Sequence, residues 1–317
     1  MKIAVIGCGY WGENLVRNFY KLGYLNVIYD VDLQNAKRLS KKFKVPILKF
    51  EEILNTDIDG IAISSPAASH YDIAKKCLLS NKHVFIEKPL ALEISHAKSL
   101  IKIAERRNKK IMVGHLLHYH PAFERIKDEL SRGLIGEIKF IYSNRMSFGK
   151  VRSEEDVLWS FAPHDISMIL SLVKSPIKSI NCFSKSIIKK NIADIASINL
   201  SFKNNTKAQI SCSWINPFKE HKMTIIGTEG SIIFDDTKRW EEKLSHHKLK
   251  IDDSLKQLIK KSKPRYLKIK EKEPLERECQ SFIDFISGKI NIPSNGEEGL
   301  NVLKVLKKAS ESLKKNN

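Results

Sequence analysis

The sequence contains few residues of several kinds, and each shortage excludes a class of protein. Its five cysteines are widely scattered and lack the paired spacing of metal-binding motifs, so they indicate a reducing compartment and no disulfide framework. They are Cys8, Cys77, Cys182, Cys212 and Cys279. Proline and glycine number only 10 and 14 among 317 residues, too few for a collagen-like chain or a long linker.

Long hydrophobic runs are also missing. No stretch approaches the roughly 18 apolar residues that a membrane-spanning helix needs. The run Ile3–Ile6 is too short for a signal-peptide core and instead predicts a buried first strand. We therefore expect a cytoplasmic protein without a membrane span. With 42% hydrophobic and 29% charged residues, the chain is typical of globular proteins, and its length suits two domains.

Acidic residues are outnumbered, with 36 Asp and Glu against 55 Lys and Arg, which gives a formal net charge of +19 at pH 7. Such a charge attracts polyanions through its long-range field. Lysine accounts for most of it and is spread along the chain, and no nucleic-acid motif accompanies it, so nucleic-acid binding is disfavoured. An anionic substrate or a membrane surface stays open as a partner.

Short apolar runs alternate with amphipathic segments from Lys2 to about Gly114. The runs predict strands at Ile3–Ile6, Asn26–Tyr29, Gly60–Ser64, His83–Ile86 and Ile111–Gly114. The segments between them have helical spacing at Asn14–Lys21, Gln34–Phe43, Tyr71–Ser80 and Ser95–Arg107. Connections of this length make parallel βαβ units. Residues 1–120 are therefore predicted to form an α/β domain, a Rossmann-type doubly wound parallel sheet that binds a dinucleotide.

The remaining residues, 121–317, show longer β-type runs and hairpin-like polar connections. Strands are predicted at Ile138–Met146, Ile177–Ser186, Ala193–Phe202, Ala208–Trp214, Met223–Ile226 and Ser231–Phe234. Helices are predicted from Pro121 to about Arg132 and at Asp165–Val173, Pro274–Ser287 and Gly296–Lys308. This half is expected to be an α+β domain for substrate binding and oligomerisation, with a large, mostly antiparallel open sheet, its last helices packing back on the first domain. The charged stretch Lys238–Lys272 is expected to be an extended, mobile excursion.

The segment Gly7-Cys8-Gly9-Tyr10-Trp11-Gly12 follows the first predicted strand and opens a helix, which is the context of a dinucleotide-binding motif. Gly7 allows the tight turn, Gly9 lets the backbone approach a pyrophosphate, and Gly12 lets helix and strand pack closely. Amide groups at the helix start then face the anion. The three glycines, with Tyr10 and Trp11 between them, are the predicted first contacts of the cofactor.

Asp30 follows the second predicted strand, 18 residues after Gly12, where a carboxylate accepts hydrogen bonds from an adenosine ribose. This arrangement favours NAD, because a 2′-phosphate would be repelled there. Lys37 or Arg38 could partly compensate for the repulsion, so NADP is less favoured but stays open. Asp32 is expected to cap the helix that follows.

The segment Ile86-Glu87-Lys88-Pro89 ends a strand at the carboxyl edge of the predicted sheet, where ligands bind. Lys88 is therefore placed beside the cofactor. Pro89 keeps the preceding lysine out of helical geometry, and a cis bond would fix its direction further.

These features resemble the Gfo/Idh/MocA family of sugar and cyclitol dehydrogenases. The likeness runs from end to end and is carried by the glycine motif, Ser65-Pro66 with His70, Glu87-Lys88-Pro89, Pro163-His164-Asp165, Pro274-Leu275 to Phe282, and Gly296 to Leu300. It implies an NAD-dependent dehydrogenase. It also implies that Ser65, Pro66, His70 and Glu87 contact the cofactor, that Lys88 contacts substrate and nicotinamide, and that His164 acts in proton transfer.

Alcohol oxidation needs a base that reaches the hydroxyl and a cation that stabilises the developing alkoxide, and these requirements suit His164 and Lys88. His164 is expected at a helix start after Pro163, on a loop facing the cofactor. Many relatives carry a carboxylate four residues earlier, where this chain has Ser160, so Asp165 is the alternative partner for the histidine. Ser160 also keeps open a non-catalytic member that uses the fold as a sensor.

Three histidines, His115, His118 and His120, precede Pro121. Without a carboxylate or cysteine partner in the pattern, a metal site is disfavoured. The resemblance implies that Tyr119 lines the active site, and His120 is predicted beside it as a second substrate contact.

Three segments further resemble a branch of the family that modifies nucleotide sugars: the run from Tyr10 to Phe19, Val157-Leu158-Trp159, and the run from Ser213 to Lys219. The resemblance implies oxidation at C3 of UDP-N-acetylglucosamine for surface polysaccharide or lipopolysaccharide, followed by a PLP aminotransferase. UDP-N-acetylglucosaminuronate, or another sugar or cyclitol, is the alternative substrate. Arg145, Arg152 and Lys219 are the phosphate candidates, Ser160 and His164 are further substrate contacts, and a homodimer or homotetramer is expected.

Overall fold

The computed structural model of the protein describes residues 1–149, 151–152, 155–249, 251–252, 258–259 and 263–315. The chain divides into two compact units. The first comprises Met1–Tyr119 and Lys272–Lys304, and the second comprises His120–Glu271 and Val305–Asn317. None of the helices in the described ranges is long and apolar enough to cross a membrane.

Strands and helices follow one another along the described chain. The strands are β1 (Ile3–Ile6), β2 (Leu25–Tyr29), β3 (Gly60–Ile63), β4 (His83–Glu87), β5 (Ile111–Gly114), β6 (Ile138–Phe148), β7 (Ile177–Lys185), β8 (Ile195–Phe202), β9 (Lys207–Ser213), β10 (Ile215–Gly227), β11 (Gly230–Asp235), β12 (Leu244–Lys248), β13 (Ile251–Asp252), β14 (Leu258–Ile259) and β15 (Arg265–Tyr266). The helices are α1 (Tyr10–Lys21), α2 (Leu33–Phe43), α3 (Phe50–Leu54), α4 (Ala67–Leu79), α5 (Ile94–Arg106), α6 (Pro121–Ser131), α7 (Val157–Leu172), α8 (Pro274–Ile286) and α9 (Gly296–Lys315), and Leu116–Tyr119 forms a 3₁₀ turn.

The first unit contains a parallel five-stranded sheet in the order β2-β1-β3-β4-β5. Beyond β2, the Ile28 amide donates to Pro46 (3.1 Å) and the Leu48 amide donates to Ile28 (3.4 Å). This bridge occupies the place of the outermost third strand in the doubly wound order, where a proline at a sheet edge is tolerated. The predicted α/β doubly wound sheet is confirmed, because helices cover strands such as β1 and β3 whose residues are buried throughout.

Helix α8 lies in the core of the first unit, although it is more than 150 residues away from β5 along the chain. Phe282 of this helix meets Phe19 and Phe85 edge to face, with ring centroids 6.3 and 5.8 Å apart. Pairs of this geometry add to the stability gained from burying their area. A side chain on Gly60 would approach Ile3 and Phe282 to 3.0 Å, so these side chains would have to shift to admit it.

The second unit is built on an eight-stranded sheet in the order β15-β12-β11-β10-β6-β9-β8-β7. Its pairs are antiparallel except for β6 and β9, so the predicted large, mostly antiparallel sheet is confirmed. The small pair β13–β14 is separate from it. Trp214 is fully buried after β9, and its indole donates to the equally buried Asp194 (2.5 Å).

The helix that carries His164 begins much earlier than the sequence predicts. Helix α7 starts at Val157, where the Asp156 side chain accepts a hydrogen bond from Trp159 (3.0 Å), and Pro163 lies inside it. The prediction that His164 stands on a loop at a helix start is therefore wrong. Proline ordinarily breaks a helix interior, but the apolar residues before it bury strongly enough to retain the helical turns on either side.

Two strands were not predicted in full because their residues are mostly polar. Strand β10 begins at Ile215, whereas the pattern marks only Met223–Ile226, because the polar residues in between lie on partly exposed backbone. The segment Lys238–Lys272, predicted to be an extended excursion, contains β12, in which Leu244 to His246 are buried. The prediction of an excursion is therefore wrong for that part. Residues 250, 253–257 and 260–262 of that stretch lie outside the described residues.

Candidate active site

The glycine motif has the backbone shape that a pyrophosphate requires. Gly7 has a φ of +94°, and a side chain there would clash with Ser64 and Ser65. A side chain on Gly12 would reach 1.9 Å from the Gly7 carbonyl, so helix α1 can approach β1 only with glycine at this position. Around Gly9, by contrast, the space beside the backbone is open within 4 Å. The motif thus leaves room for a ligand at the start of α1.

Asp30 is anchored at the end of β2 beside the glycine motif. Its carboxylate accepts hydrogen bonds from the backbone amides of Cys8 (2.5 Å) and Asp32 (2.7 Å). A carboxylate offers about four acceptor positions, so these two bonds leave capacity for ribose hydroxyls. Asp32 accepts from the Gln34 amide (2.9 Å), which confirms its prediction as a helix cap.

Arg38, one of the two cations expected to tolerate a 2′-phosphate, lies beside a carboxylate. It pairs with Glu13 (2.7 Å), which also pairs with Lys42 (2.7 Å). The hydrogen bonds from Lys42 and Arg38 lower the pKa of Glu13, although burial acts in the opposite direction. The arrangement supports NAD over NADP, because the Glu13 carboxylate would repel a 2′-phosphate as Asp30 does.

Glu87 ties the end of β4 to the glycine motif. Its carboxylate accepts a hydrogen bond from the Trp11 indole and another from the Lys88 amide (3.3 Å). The Lys88–Pro89 peptide is cis. The side chains of Glu87 and Trp11 connect the backbone beside Lys88 to the first turn of α1. This connection is not visible in the sequence, since Trp11 and Glu87 are 76 residues apart.

A second buried carboxyl group lies near Glu87. Glu278 of α8 is fully buried, and neither of its oxygens has a hydrogen-bond partner among the described residues. Burial, and then the charge of Glu87, raises the pKa of Glu278 well above its ordinary value. Burial likewise raises the pKa of Glu87 to about 7, although Trp11 and Lys88 lower it. Glu278 is thus held in its neutral form, a feature that sequence reasoning missed.

This neutral carboxyl should make the protein less stable as the pH rises. The unfolded chain releases the Glu278 proton above its ordinary pKa, whereas the native protein retains it, so the free energy of unfolding falls by about 1.4 kcal/mol per pH unit in that window. Glu278→Gln removes this dependence. Urea unfolding is measured at pH 5.5, 7.0 and 8.5. The free energy of unfolding of Glu278→Gln should rise relative to that of wild type as the pH rises.

Glu276→Gln is the matched control, because Glu276 lies on the same helix but is partly exposed and paired with Lys21. It should follow the pH dependence of wild type. Parallel curves for wild type and Glu278→Gln would show that Glu278 is ionised in the native protein.

His70 holds two loops of the first unit together. One ring nitrogen lies 2.8 Å from the Pro89 carbonyl and the other lies 2.9 Å from the Ser65 carbonyl. Both nitrogens thus face main-chain carbonyl oxygens, one before Pro66 and one after the Lys88–Pro89 peptide bond. His70 thereby positions Ser65 and the backbone that follows Lys88, and its cofactor contact stays a prediction.

The three neighbouring histidines do not converge on one point. His115 and His118 face Glu298, at 2.6 and 3.6 Å. Although burial opposes it, the histidines lower the pKa of Glu298 to about 2 and keep it ionised. His120 belongs to the second unit. Nowhere in the described ranges do three or more His, Cys, Asp or Glu side chains form a group suited to a metal ion.

Tyr119 is part of the first unit's core. Its side chain is buried, its hydroxyl is 2.7 Å from the Ser294 hydroxyl, and its carbonyl accepts from Arg277 (3.0 Å). Its substrate contact stays a prediction. The partner Ser294 lies 175 residues away, so no local pattern could indicate the pair.

In the second unit, Asp165 anchors α7 to the sheet. Its carboxylate accepts from the Ser143 hydroxyl (2.6 Å) and from two nitrogens of Arg145 (2.6 and 3.1 Å). Arg145 is thus balanced by a buried carboxylate, and its phosphate contact stays a prediction. Ser160 and His164 are one helical turn apart on α7 and share a face of it, with Ser160 buried. Asp165, next to the histidine, is already committed to β6.

His120 caps helix α6 and belongs to a second polar cluster. Its ring accepts from the Ala122 amide (3.0 Å), lies 3.4 Å from Asp236 and stacks on Trp240. Lys243 donates to Asp236 (2.6 Å) and lies over the Trp240 ring. His120 is only 3% exposed, and its substrate contact stays a prediction.

The other two phosphate candidates lie at the surface of the second unit. Arg152 is half-exposed and pairs with Glu155 (2.6 Å). Lys219 is exposed on β10. Surface ion pairs contribute little to stability, so Arg152 can exchange Glu155 for a ligand at low cost.

Comparison with protein families shows the family to which the chain belongs. Residues 1–115 match the family described as the oxidoreductase family with an NAD-binding Rossmann fold, GFO_IDH_MocA, and residues 123–233 match the GFO/IDH/MocA C-terminal domain. The chain belongs to the GFO/IDH/MocA oxidoreductase family. The resemblance inferred from the sequence motifs is thereby confirmed, and with it the assignment of an enzyme.

Relatives within the GFO/IDH/MocA family share the fold at low identity. UDP-N-acetylglucosamine 3-dehydrogenase of Acidithiobacillus ferrooxidans is 23% identical over 214 residues, which cover 67% of each chain. A structure of the enzyme of that name from this organism superposes with a TM-score of 0.87 at 20% identity, covering 99% of this chain and 98% of that one. An Agrobacterium radiobacter oxidoreductase in complex with NAD⁺, L-tartaric acid and magnesium gives 0.81 at 18%, covering 100% and 97%.

The first unit of this GFO/IDH/MocA protein is therefore an NAD-binding Rossmann domain, as predicted. Its own residues fit the cofactor. Gly9 leaves open space at the start of α1, where backbone amides favour a diphosphate, and Asp30 stands at the end of the adjacent strand for the ribose. The Glu87–Trp11 hydrogen bond then connects the glycine motif to Lys88.

Proposed function

We propose that the protein is an NAD-dependent dehydrogenase that oxidises the C3 hydroxyl of a nucleotide sugar such as UDP-N-acetylglucosamine to a 3-keto sugar. The observation that carries the proposal is the link from the glycine motif through Trp11 and Glu87 to Lys88. It puts a cation at the carboxyl end of β4, the edge at which Rossmann sheets bind their ligands.

NAD, when bound, accepts a hydride from the substrate carbon. Lys88 contributes positive charge that stabilises the alkoxide developing on the substrate oxygen. His164 removes the hydroxyl proton, the general-base role that histidine most often takes in enzymes. Asp165, by bonding Ser143 and Arg145, fixes the helix that carries His164. Ser160, on the same face of α7, supplies a hydroxyl near the histidine.

The choice of a nucleotide sugar is supported by the Acidithiobacillus relative, whose name specifies oxidation of UDP-N-acetylglucosamine at position 3. The net charge of +19 favours a diphosphate ligand. Arg152 and Lys219 are the proposed diphosphate contacts. We further propose that the protein works in the cytoplasm as a homo-oligomer, and that a PLP aminotransferase consumes its keto product.

A coupled assay tests this function. Protein, NAD and UDP-N-acetylglucosamine are mixed with a 3-keto-sugar aminotransferase and glutamate, which draw off the product, and absorbance is followed at the NADH band. We expect an increase that depends on both substrates. If the sugar nucleotide binds without any reduction of NAD, the proposed oxidation is wrong, and a flat trace without binding would favour a sensor.

Asp30 should set the cofactor preference. The Cys8 and Asp32 amides bond to different oxygens of Asp30, so Asp30→Asn retains an acceptor for only one of them and removes the charge. We expect NADH to bind about ten-fold more weakly. NADPH should bind more tightly than to wild type, because the repulsion is relieved. Fluorescence titration measures both, with Asp32→Asn as the matched control because Asp32 caps α2. Wild-type protein that prefers NADPH would contradict the assignment.

A further inference from the structure

One face of the second unit's sheet changes from apolar to polar at a single row of residues. Met223 and Ile225 of β10 are buried on this face, and the next residue on the same side is His221, which is half-buried. His221 lies directly opposite Arg145 of β6 in the antiparallel register. Side chains directly opposite in such a pair lie on the same face of the sheet.

The row continues on both sides of His221. The Asp236 amide donates to the His221 carbonyl (2.9 Å), which places Asp236 next in line after β11. Arg145 lies on the other side and reaches Asp165 of α7 (2.6 Å). The row therefore runs beneath the helix that carries His164.

Both charged neighbours in this row are already balanced. Arg145 is paired with Asp165, and Asp236 is paired with Lys243 (2.6 Å) and approached by His120 (3.4 Å). The imidazole of His221, in contrast, makes no hydrogen bond to any of the described residues. A half-buried imidazole without a protein partner can bond to water, or to a ligand that replaces the water.

The surroundings keep the His221 ring uncharged. Burial first, and then the charges of Arg145 and Lys219, lower its pKa to about 4, although Asp165 and Asp236 act in the opposite direction. A neutral imidazole offers one donor and one acceptor. This combination matches a hydroxyl or an amide, which also both donates and accepts.

We propose that His221 is a substrate-binding residue whose neutral imidazole hydrogen-bonds an uncharged hydroxyl or acetamido group of the sugar. The assignment rests on the proposed function. It narrows the substrate class to sugars that carry no charge on the group that contacts His221. A uronate carboxylate would add a negative charge near Asp165 and Asp236, where Arg145 is already paired with Asp165. UDP-N-acetylglucosamine is therefore favoured over UDP-N-acetylglucosaminuronate.

Calorimetric titration with UDP-N-acetylglucosamine and with UDP separates this role from a structural one. His221→Ala should weaken binding of the nucleotide sugar about ten-fold and leave the Kd for UDP unchanged, because the lost bond is to the sugar. His221→Gln, which retains a donor and an acceptor, should recover most of the affinity. His247→Ala, a loss of another half-buried imidazole from the same sheet, should change neither constant.

Equal weakening of UDP and the nucleotide sugar, or no change in either, would overturn the role of His221 while leaving the dehydrogenase proposal intact. Failure of wild-type protein to bind or oxidise the nucleotide sugar would instead overturn both. The Kd of wild type for UDP-N-acetylglucosamine should also be constant from pH 6 to 8. Tighter binding of the uronate, increasing as the pH falls, would show a protonated His221 and contradict the proposal.

Discussion

Alanine in place of Lys88 should lower kcat with the nucleotide sugar about a thousand-fold, the effect expected when a preorganised charge is removed from a developing oxyanion. The cation is needed most in the transition state, so kcat should fall far more than KM rises. Steady-state rates with NAD and UDP-N-acetylglucosamine measure the effect. NADH fluorescence titration shows whether the variant still binds the cofactor.

Two variants accompany this measurement. Lys88→Arg keeps the charge but changes its geometry, so its activity should lie between that of wild type and that of alanine. Lys98→Ala removes an exposed lysine from α5 and should leave the rate unchanged. If Lys88→Ala turns over as fast as wild type, Lys88 has no role in the mechanism despite its position at the end of β4.

Replacement of His164 by glutamine should lower kcat about a hundred-fold or more and change its pH dependence, because a general base contributes on this scale. In wild type, kcat should fall at acidic pH as the base becomes protonated. In His164→Gln this acidic limb should disappear and the residual rate should rise with hydroxide concentration. A pH profile from 5.5 to 9.5 measures both effects.

His247→Gln provides the control for loss of a histidine from the same unit, and its profile should match wild type. A His164→Gln enzyme whose rate falls but whose acidic limb persists would show that another group is the base. In that case His164 would be a positioning residue on α7, and its substitution would act on geometry alone.

The sheet of the first unit was predictable because each of its signals is local. Strands such as β1 and β3 are short apolar runs, and the glycines and Asp30 stand at fixed offsets from them. Helix α3, with only five residues, is too short to show a period and was missed. The prediction of Lys88 as a site residue likewise depends on local features, its strand and Pro89, together with the family resemblance.

The second unit was harder to predict, because tertiary contacts override local preference there. Pro163 suggested a helix start, but burial of the apolar residues before it and the Asp156 cap place that start at Val157. The polar residues of β10 and β12 concealed strands that lie within the sheet.

The partners of site residues were the least predictable feature. Glu278 approaches Glu87 from a helix near the other end of the chain, and Glu298 meets His115 across 183 residues. Their residue types gave no signal, because isolated glutamates in amphipathic helices usually face water. Asp165 could be named as a candidate from its position beside His164, but its bonds to Ser143 and Arg145 could not.

The most direct test of the account follows the hydrogen on C3 of the sugar. Protein is incubated with NAD and UDP-N-acetylglucosamine deuterated at C3, and the reduced cofactor is analysed by mass spectrometry, with material deuterated at C4 as the control. We predict that deuterium appears in the cofactor from the C3 label only, with a slower single turnover for that substrate. Transfer from C4, or reduction of NAD with the C3 deuterium retained in the sugar, would contradict oxidation at C3.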